Sequence, residues 1–333
     1  MKFAVVGLGY WGPNLVRNFQ AHPQITSVIA CDEREQRLEF ARSRFPGIST
    51  CNSIDALIQD PDLKAVAIAT PVNTHYDLAK KILEAGKHVW VEKPFTASSN
   101  HARHLIEIAK QNNRVIFVDH TFLYTGAVRK IKEVLDKGEL GDVLYFDSVR
   151  INLGLFQHDV NVMWDLAPHD LSIMSYLVGK KPYAVSANGI ANFNGMENVA
   201  HLSVYFEGNC FAHFHVNWTS PVKIRRMIMG GTKKMMVFDD MENFDKVKIY
   251  DTGVAINTEE GVHQALVEYR TGDMYSPKVN QTEALSLATS EFVNAIIEGR
   301  KPLTDGDNGL YVIRILEAAE ESIKNKGQLV LLS

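Results

Sequence analysis

The sequence predicts an α/β protein in two parts. A doubly wound parallel sheet is expected over residues 1–120, and an α+β domain with a large, mostly antiparallel sheet over residues 121–333. Three observations predict this. Up to about His120, short apolar runs alternate with amphipathic stretches, as strands buried on both faces alternate with crossover helices. After Gly126 the strand candidates lengthen and alternate apolar with polar residues, as in a sheet with one covered face. A chain of 333 residues also exceeds one typical domain without reaching three.

The buried-strand candidates are Phe3–Val6, Val28–Ala30, Val66–Ala69, Val89–Val91 and Val115–Val118, rich in β-branched residues. Helices are expected at Thr74–Ala85, ended by Gly86, and at Ser98–Gln111. One more helix, Ala127–Lys137, closes on Gly138. The second domain then offers Val143–Leu153, Tyr183–Ile190, Ala200–Phe206, Cys210–Trp218, Ile224–Met229, Lys234–Phe238 and Lys246–Tyr250 as strands. Hairpin turns fit Glu207-Gly208-Asn209 and Gly230-Gly231. Two late helices, Glu283–Ile297 and Leu310–Lys324, each precede a glycine. A cleft is expected between the two domains.

Composition excludes several function classes. Hydrophobic residues at 46% and charged residues at 22% describe an ordinary globular chain, not a disordered or fibrous one. A net charge of −4 leaves no basic field for nucleic acid or anionic lipid. No apolar stretch approaches the length of a membrane span, and the glycine-broken opening run reads as a strand and turn rather than a signal segment. Three cysteines (Cys31, Cys51, Cys210) form neither a disulfide framework nor a CxxC pattern, so a cytoplasmic protein is expected. His213 and His215 near Cys210 lack a second ligand group at suitable spacing; they read as polar residues on one sheet face, and no metal is expected.

Three segments carry chemistry. Gly7-Leu8-Gly9-Tyr10-Trp11-Gly12 stands between the first strand and a helix, the context a dinucleotide fingerprint requires. Gly7 permits the tight turn, Gly9 admits a pyrophosphate to the backbone, and Gly12 lets helix pack on strand. The helix N-terminus adds free N–H groups and positive potential. Asp32, 20 residues after Gly12, would accept the adenosine ribose hydroxyls and repel a 2′-phosphate, so NAD is expected over NADP, although Arg34 and Arg37 close behind could hold a phosphate. Tyr10 and Trp11 either flank a nicotinamide or pack against the second domain. Glu92-Lys93-Pro94 follows the strand Lys87–Val91, so Lys93 either points into the crevice at the strand's carboxyl end or lies on the surface. Asp165 and His169, four apart at a helix start before Leu171–Leu177, either pair for proton transfer or serve as cap and structural histidine, with Pro168 in the first helical turn. His75 is either a cap or a cofactor contact.

Taken together, Gly7–Gly12, Ala69-Thr70-Pro71-Val72-Asn73-Thr74-His75, Glu92-Lys93-Pro94 and Asp165-Leu166-Ala167-Pro168-His169-Asp170 resemble the Gfo/Idh/MocA oxidoreductase family, in that family's order and over almost the whole chain. The resemblance implies a Rossmann domain binding a nicotinamide cofactor, with Lys93 and His169 as catalytic pair and Asp165 beside them. It also implies that Thr70, Pro71, Asn73 and His75 line the cofactor, and Glu92 its nicotinamide ribose side. Gly12-Pro13-Asn14, the run Asn152–Asp165 and Asn217–Arg225 resemble the branch that oxidises UDP-N-acetylglucosamine or its uronate at C3. That adds Asn14 to the cofactor set and Gln157 and Asn161, amides suited to sugar hydroxyls, to the substrate set. Arg150, with Lys223, Arg225 and Arg226, is a candidate for the diphosphate or a uronate carboxylate. The expected partners are a small nucleotide sugar and a second copy of the chain, in a dimer or tetramer through the large sheet.

Overall fold

Each apolar run of the first 120 residues becomes a strand of one parallel sheet. The computed structural model describes residues 1–154, 156, 159–193, 195–255, 268–270 and 272–332. The strands are β1 (Lys2–Val6), β2 (Ser27–Cys31), β3 (Ser49–Cys51), β4 (Leu63–Ile68), β5 (His88–Val91) and β6 (Ile116–Val118). They pair in the order β3-β2-β1-β4-β5-β6, every pair parallel. Between them run α1 (Gly12–Ala21), α2 (Glu35–Arg44), α3 (Ile54–Ile58), α4 (Val72–Glu84) and α5 (Ser99–Gln111). Order reverses at β1, so the carboxyl ends of β1 and β4 flank the switch point where such sheets bind ligands. β3 is absent from the sequence reading. It is a three-residue edge strand of partly polar residues, and an edge needs no apolar run.

The remaining residues build a second sheet. After α6 (Gly126–Asp136) come β7 (Val143–Leu153), α7 (Val162–Val178), β8 (Pro182–Ile190), β9 (Val199–Phe206), β10 (Phe211–Asn217), β11 (Thr219–Gly231), β12 (Met235–Asp239), β13 (Val247–Tyr250), β16 (Met274–Tyr275) and β17 (Val330–Leu331). The order is β16-β13-β12-β11-β7-β10-β9-β8-β17, and β7 with β10 is its one parallel pair among the described residues. β14 (Gly253–Ala255) and β15 (Glu268–Arg270) form a separate two-stranded ladder. On β9, Ala200, Leu202, Val204 and Phe206 are buried; α7 packs against β7, β9 and β10. The alternate residues Val199, His201, Ser203 and Tyr205 keep partial or full exposure. The chain closes with α8 (Ala284–Glu298) and α9 (Gly306–Lys324).

Contacts divide the chain into Met1–Tyr124 with Thr282–Glu317, and Thr125–Gln281 with Ala318–Ser333. The sequence pattern places everything after residue 120 in one domain, whereas Thr282–Glu317 returns to the first unit. Phe292 of α8 explains the return: it is fully buried, with its ring 5.7 Å from Phe3, 5.6 Å from Trp90 and 5.5 Å from Phe117. These aromatic contacts anchor α8 on the parallel sheet.

His88 carries a pH signature of this core. Its Nδ1 accepts the Val115 N–H at 3.0 Å. Burial, with the nearby Arg114 and Lys64 charges, pushes its pKa down from 6.5 to about 4. The folded state therefore keeps His88 neutral where the unfolded chain protonates, and stability is lost as pH falls from 6.5 towards 4. His88→Gln should flatten that loss, measured as the urea midpoint against pH; an unchanged slope would contradict the assignment.

Candidate active site

The fingerprint turn is held by close packing that only glycine allows. A Cβ on Gly12 would stand 2.0 Å from the Gly7 carbonyl oxygen, and one on Gly7 would stand 2.6 Å from that of Ala69. Gly7, at φ +93°, donates its N–H to Cys31 at 2.9 Å, while the Ala69 N–H donates to Val6 at 2.8 Å. Gly9 differs: nothing lies within 4 Å of the Cβ it lacks, which leaves an open backbone surface for a ligand. Helix α1 begins without a side-chain cap; Pro13 has no N–H and the Asn14 N–H donates to the Trp11 carbonyl at 2.9 Å, which leaves the Gly12 amide for an anion. A cavity of about 580 Å³ opens here, lined by Gly7, Gly9, Asp32, Arg34, Thr70 and Pro71 among others.

Asp32 stands at this cavity but is already engaged. Its Oδ2 accepts the Leu8 N–H at 2.8 Å, and its Oδ1 accepts the Arg34 N–H at 3.0 Å and Nε at 3.1 Å. Burial pushes the carboxyl up, yet the bonds from Arg34 and Leu8 outweigh it and hold Asp32 below the usual carboxylate range. Arg34 and Arg37 line the same cavity. Thr70 bonds Thr74 hydroxyl to hydroxyl at 2.6 Å, Pro71 caps α4, and Asn73 is exposed on its first turn. Asn14 carries the carbonyl that accepts from Asn18. His75 is buried, its ring nitrogens 3.0 Å from the Pro94 carbonyl and 2.9 Å from that of Thr70. It brackets two loops rather than capping a helix. Tyr10 is 93% exposed and stacks on Trp11.

At the carboxyl ends of β5 and β6 the structure assembles a cluster that the sequence reading half found. Glu92 and Lys93 follow β5, and the Lys93–Pro94 peptide is cis. Asp119 and His120 follow β6, both buried. Asp119 accepts from the Trp11 indole at 3.2 Å and from the Thr121 hydroxyl, and it is hydrogen-bonded to Glu92. Burial and the neighbouring Asp119 push Glu92 well above its ordinary value, and burial raises Asp119. Burial and the Lys93 charge drive His120 down to about 3, so it is neutral. The rule that picked Lys93, a polar residue directly after a buried strand, picks Asp119 and His120 equally well after Val115–Val118.

In the second unit, α7 positions the other candidates. Asn161 is its N-cap: Oδ1 accepts the N–H groups of Met163 at 3.1 Å and Trp164 at 3.2 Å, and Nδ2 donates to Glu197 at 2.9 Å. This corrects two expectations. The helix starts at Val162, because the cap precedes it, so Pro168 lies in its interior rather than its first turn. Asn161 is also engaged as a structural cap, which leaves little of its amide for a sugar. Asp165 and His169 do share a helix face at i and i+4, both half-buried, and Asp165 Oδ2 accepts the Trp218 indole at 3.1 Å. Arg150 is no exposed cation. It is 3% exposed and pairs with Asp170 at 2.5 Å, while Ser148 donates to Asp170 at 2.8 Å. Gln157 lies outside the described residues. Among the described residues, no three His, Cys, Asp or Glu side chains are placed to hold a metal, and no helix is long and apolar enough to cross a membrane.

Two models of one family match this chain. The oxidoreductase family with NAD-binding Rossmann fold covers residues 1–120, and the GFO/IDH/MocA C-terminal domain covers residues 128–237. The chain belongs to the Gfo/Idh/MocA oxidoreductase family. Its six-stranded unit is accordingly an NAD-binding Rossmann fold. An uncharacterised oxidoreductase of Streptococcus pneumoniae is 29% identical over 62% of this chain but only 56% of that one. The UDP-N-acetylglucosamine 3-dehydrogenase of Acidithiobacillus ferrooxidans is 27% identical over 94% of both chains, and the myo-inositol 2-dehydrogenase of Thermotoga maritima is 22% identical over 98% and 97%. Among solved structures, GenD2 from gentamicin A biosynthesis, in complex with NAD, has a TM-score of 0.83 at 22% identity, covering 100% of this chain and 96% of that one. A structure of the A. ferrooxidans dehydrogenase GnnA has a TM-score of 0.77 at 25% identity, covering 97% and 99%.

As a family member, the chain should bind NAD through the glycine turn and Asp32. Asp32→Ala removes a charged acceptor and frees the Leu8 amide and Arg34 together. Titration calorimetry should show NAD affinity falling roughly 10- to 100-fold, the scale of one or two hydrogen bonds to a charged group. Unchanged affinity would show that the carboxylate serves only its own loop.

Proposed function

We propose that this oxidoreductase converts the C3 hydroxyl of a UDP-N-acetylhexosamine, UDP-N-acetylglucosamine or its uronate, to the 3-keto sugar with NAD as acceptor. The observation that carries the reading is the end-to-end match, over 94% of both chains, to a UDP-N-acetylglucosamine 3-dehydrogenase. It is supported by a lysine at a strand's carboxyl end and a carboxylate–imidazole pair on one helix face.

Bound NAD supplies the hydride acceptor. Gly7, Gly9, Gly12 and Asn14 present backbone to its pyrophosphate, and Asp32 takes the adenosine ribose. Thr70, Pro71, Asn73 and His75 line the cofactor, Tyr10 and Trp11 flank its nicotinamide, and Glu92 stands on the nicotinamide ribose side. The hydroxyl proton goes to Lys93 or His169. Lys93, as an ammonium, stabilises the developing alkoxide, or takes the proton if deprotonated. Asp165, braced by the Trp218 indole one turn before His169, orients it for proton transfer. Gln157 remains the amide candidate for the sugar, since Asn161 is held as the cap of α7.

A second reading, oxidation of a free polyol or inositol, has a specific observation in its favour. Three of the four cations proposed for the diphosphate are already paired: Arg150 with Asp170, Arg225 with Asp240 and Arg226 with Asp239. Lys223 is exposed. We further propose a cytoplasmic dimer or tetramer built through the outer sheet face, where Tyr145, His201, Tyr205 and His213 keep partial or full exposure. The three free cysteines suit a reducing compartment.

The test is turnover, read as NADH absorbance, over UDP-N-acetylglucosamine, its uronate, UDP-glucose and myo-inositol. Turnover with an N-acetyl sugar is expected, and turnover with inositol alone would overturn the reading. Lys93→Ala and His169→Ala should still bind NAD while losing about 10²–10³-fold in turnover, the usual cost of a general base or oxyanion stabiliser. Near-normal rates in both would refute the site.

A further inference from the structure

Two carboxyl groups in hydrogen-bond contact cannot both be ionised in a buried site, since like charges at that separation repel strongly in low dielectric. Glu92 and Asp119 are such a pair. Their surroundings show which of them holds the proton. Asp119 accepts from Trp11 at Oδ2 and from Thr121 at Oδ1, as a carboxylate does. Glu92 Oε1 is buried with no donor beside it, an environment that disfavours a carboxylate, so Glu92 is the member that holds the proton.

We propose that Glu92 and Asp119 share one proton and act as a single negative charge that biases the cofactor site toward the oxidised, cationic nicotinamide. The inference rests on the NAD-linked reading above. Glu92 follows β5 and Asp119 follows β6, in the half of the sheet opposite Asp32, where the second mononucleotide of a dinucleotide belongs. Trp11 ties the dyad to the glycine turn. Lys93, after β5, is the charged group that acts on Glu92, and His120, after β6 and neutral, feels the same lysine. The dyad thus balances Lys93. Removing it takes one negative charge from the site and favours the neutral, reduced cofactor over the cationic one. Asp119 is on this account a positioning residue, acting through charge and through Trp11 rather than on the substrate.

The experiment measures dissociation constants of NAD and NADH by calorimetry at pH 7, on the full chain and on Glu92→Gln, Asp119→Asn and the double variant. Glu92→Gln replaces a neutral acid with a neutral amide that still donates, so the NAD-to-NADH ratio should stay within about twofold. The double variant removes the charge, and the ratio should move toward NADH by at least about tenfold, the effect of one unit charge about 12 Å away at an effective dielectric of about 20. An unmoved ratio in the double variant would overturn the proposal, as would a shift in Glu92→Gln as large as in the double variant, which would mean two separate charges. Should the variants fail to fold, infrared spectra of wild-type protein with 13C-labelled glutamate decide it: a protonated glutamate carbonyl band at pH 7 is expected, and its absence contradicts the shared proton. A wild-type chain that bound neither dinucleotide would instead overturn the cofactor reading itself, whereas normal binding with an unmoved ratio overturns the dyad alone.

Discussion

The contact between Gly12 and the Gly7 carbonyl, too close for any side chain, is the constraint from which the first unit is built. It seats the start of α1 against the end of β1, and Gly7 in turn lies against Ala69 and Thr70, directly after β4. Two hydrogen-bond chains leave this turn in opposite directions. One runs from the Leu8 amide to Asp32 and on to Arg34. The other runs from the Trp11 indole to Asp119 and on to Glu92, beside Lys93. A rigid turn of backbone thus organises both ends of the ligand edge, and the open face at Gly9 lies between them. The strand ends beneath the turn, Ala4–Val6 of β1 and Ala65–Ile68 of β4, are apolar and buried, so they do not compete for these polar groups.

The second unit relies on a different device. Asp170, on α7, is buried against Arg150 and Ser148 of β7. Breaking such a pair leaves a bare charge in the core, so it pins the rotation of the helix rather than merely adding stability. Asp165 and His169 lie on the flank set by that rotation, roughly 140° and about 100° around the helix from Asp170. Asn161 fixes the helix start and Gly179 its end, so the register of both candidates follows from the two caps.

Much of this was legible in the sequence. Fully buried parallel strands announce themselves as apolar runs, and glycine spacing announces a turn that needs the absence of side chains. What stayed hidden is instructive. β3 has no hydrophobic signature because it is an edge. Thr282–Glu317 joins the first unit through the ring contacts of Phe292, a long-range packing choice that no local pattern encodes. Asn161 and Arg150 read as polar ligands because sequence shows the functional group but not its partner; a cap and a buried aspartate had claimed them. Pro168 misled because proline favours a first turn, and here the capping asparagine sits seven residues earlier. Asp119 and His120 were visible by the rule that found Lys93, but they lie beyond the motif that drew attention to it.

The central claim is that the glycine turn and the two chains of polar contacts leaving it form the cofactor seat. Amide hydrogen–deuterium exchange on the full chain, with and without NAD, tests it most directly. The account predicts that NAD slows exchange at the turn from Leu8 to Gly12, at Asp32–Arg34, and at the residues following β4, β5 and β6. Slowed exchange confined to other segments, or none at the turn, would contradict it.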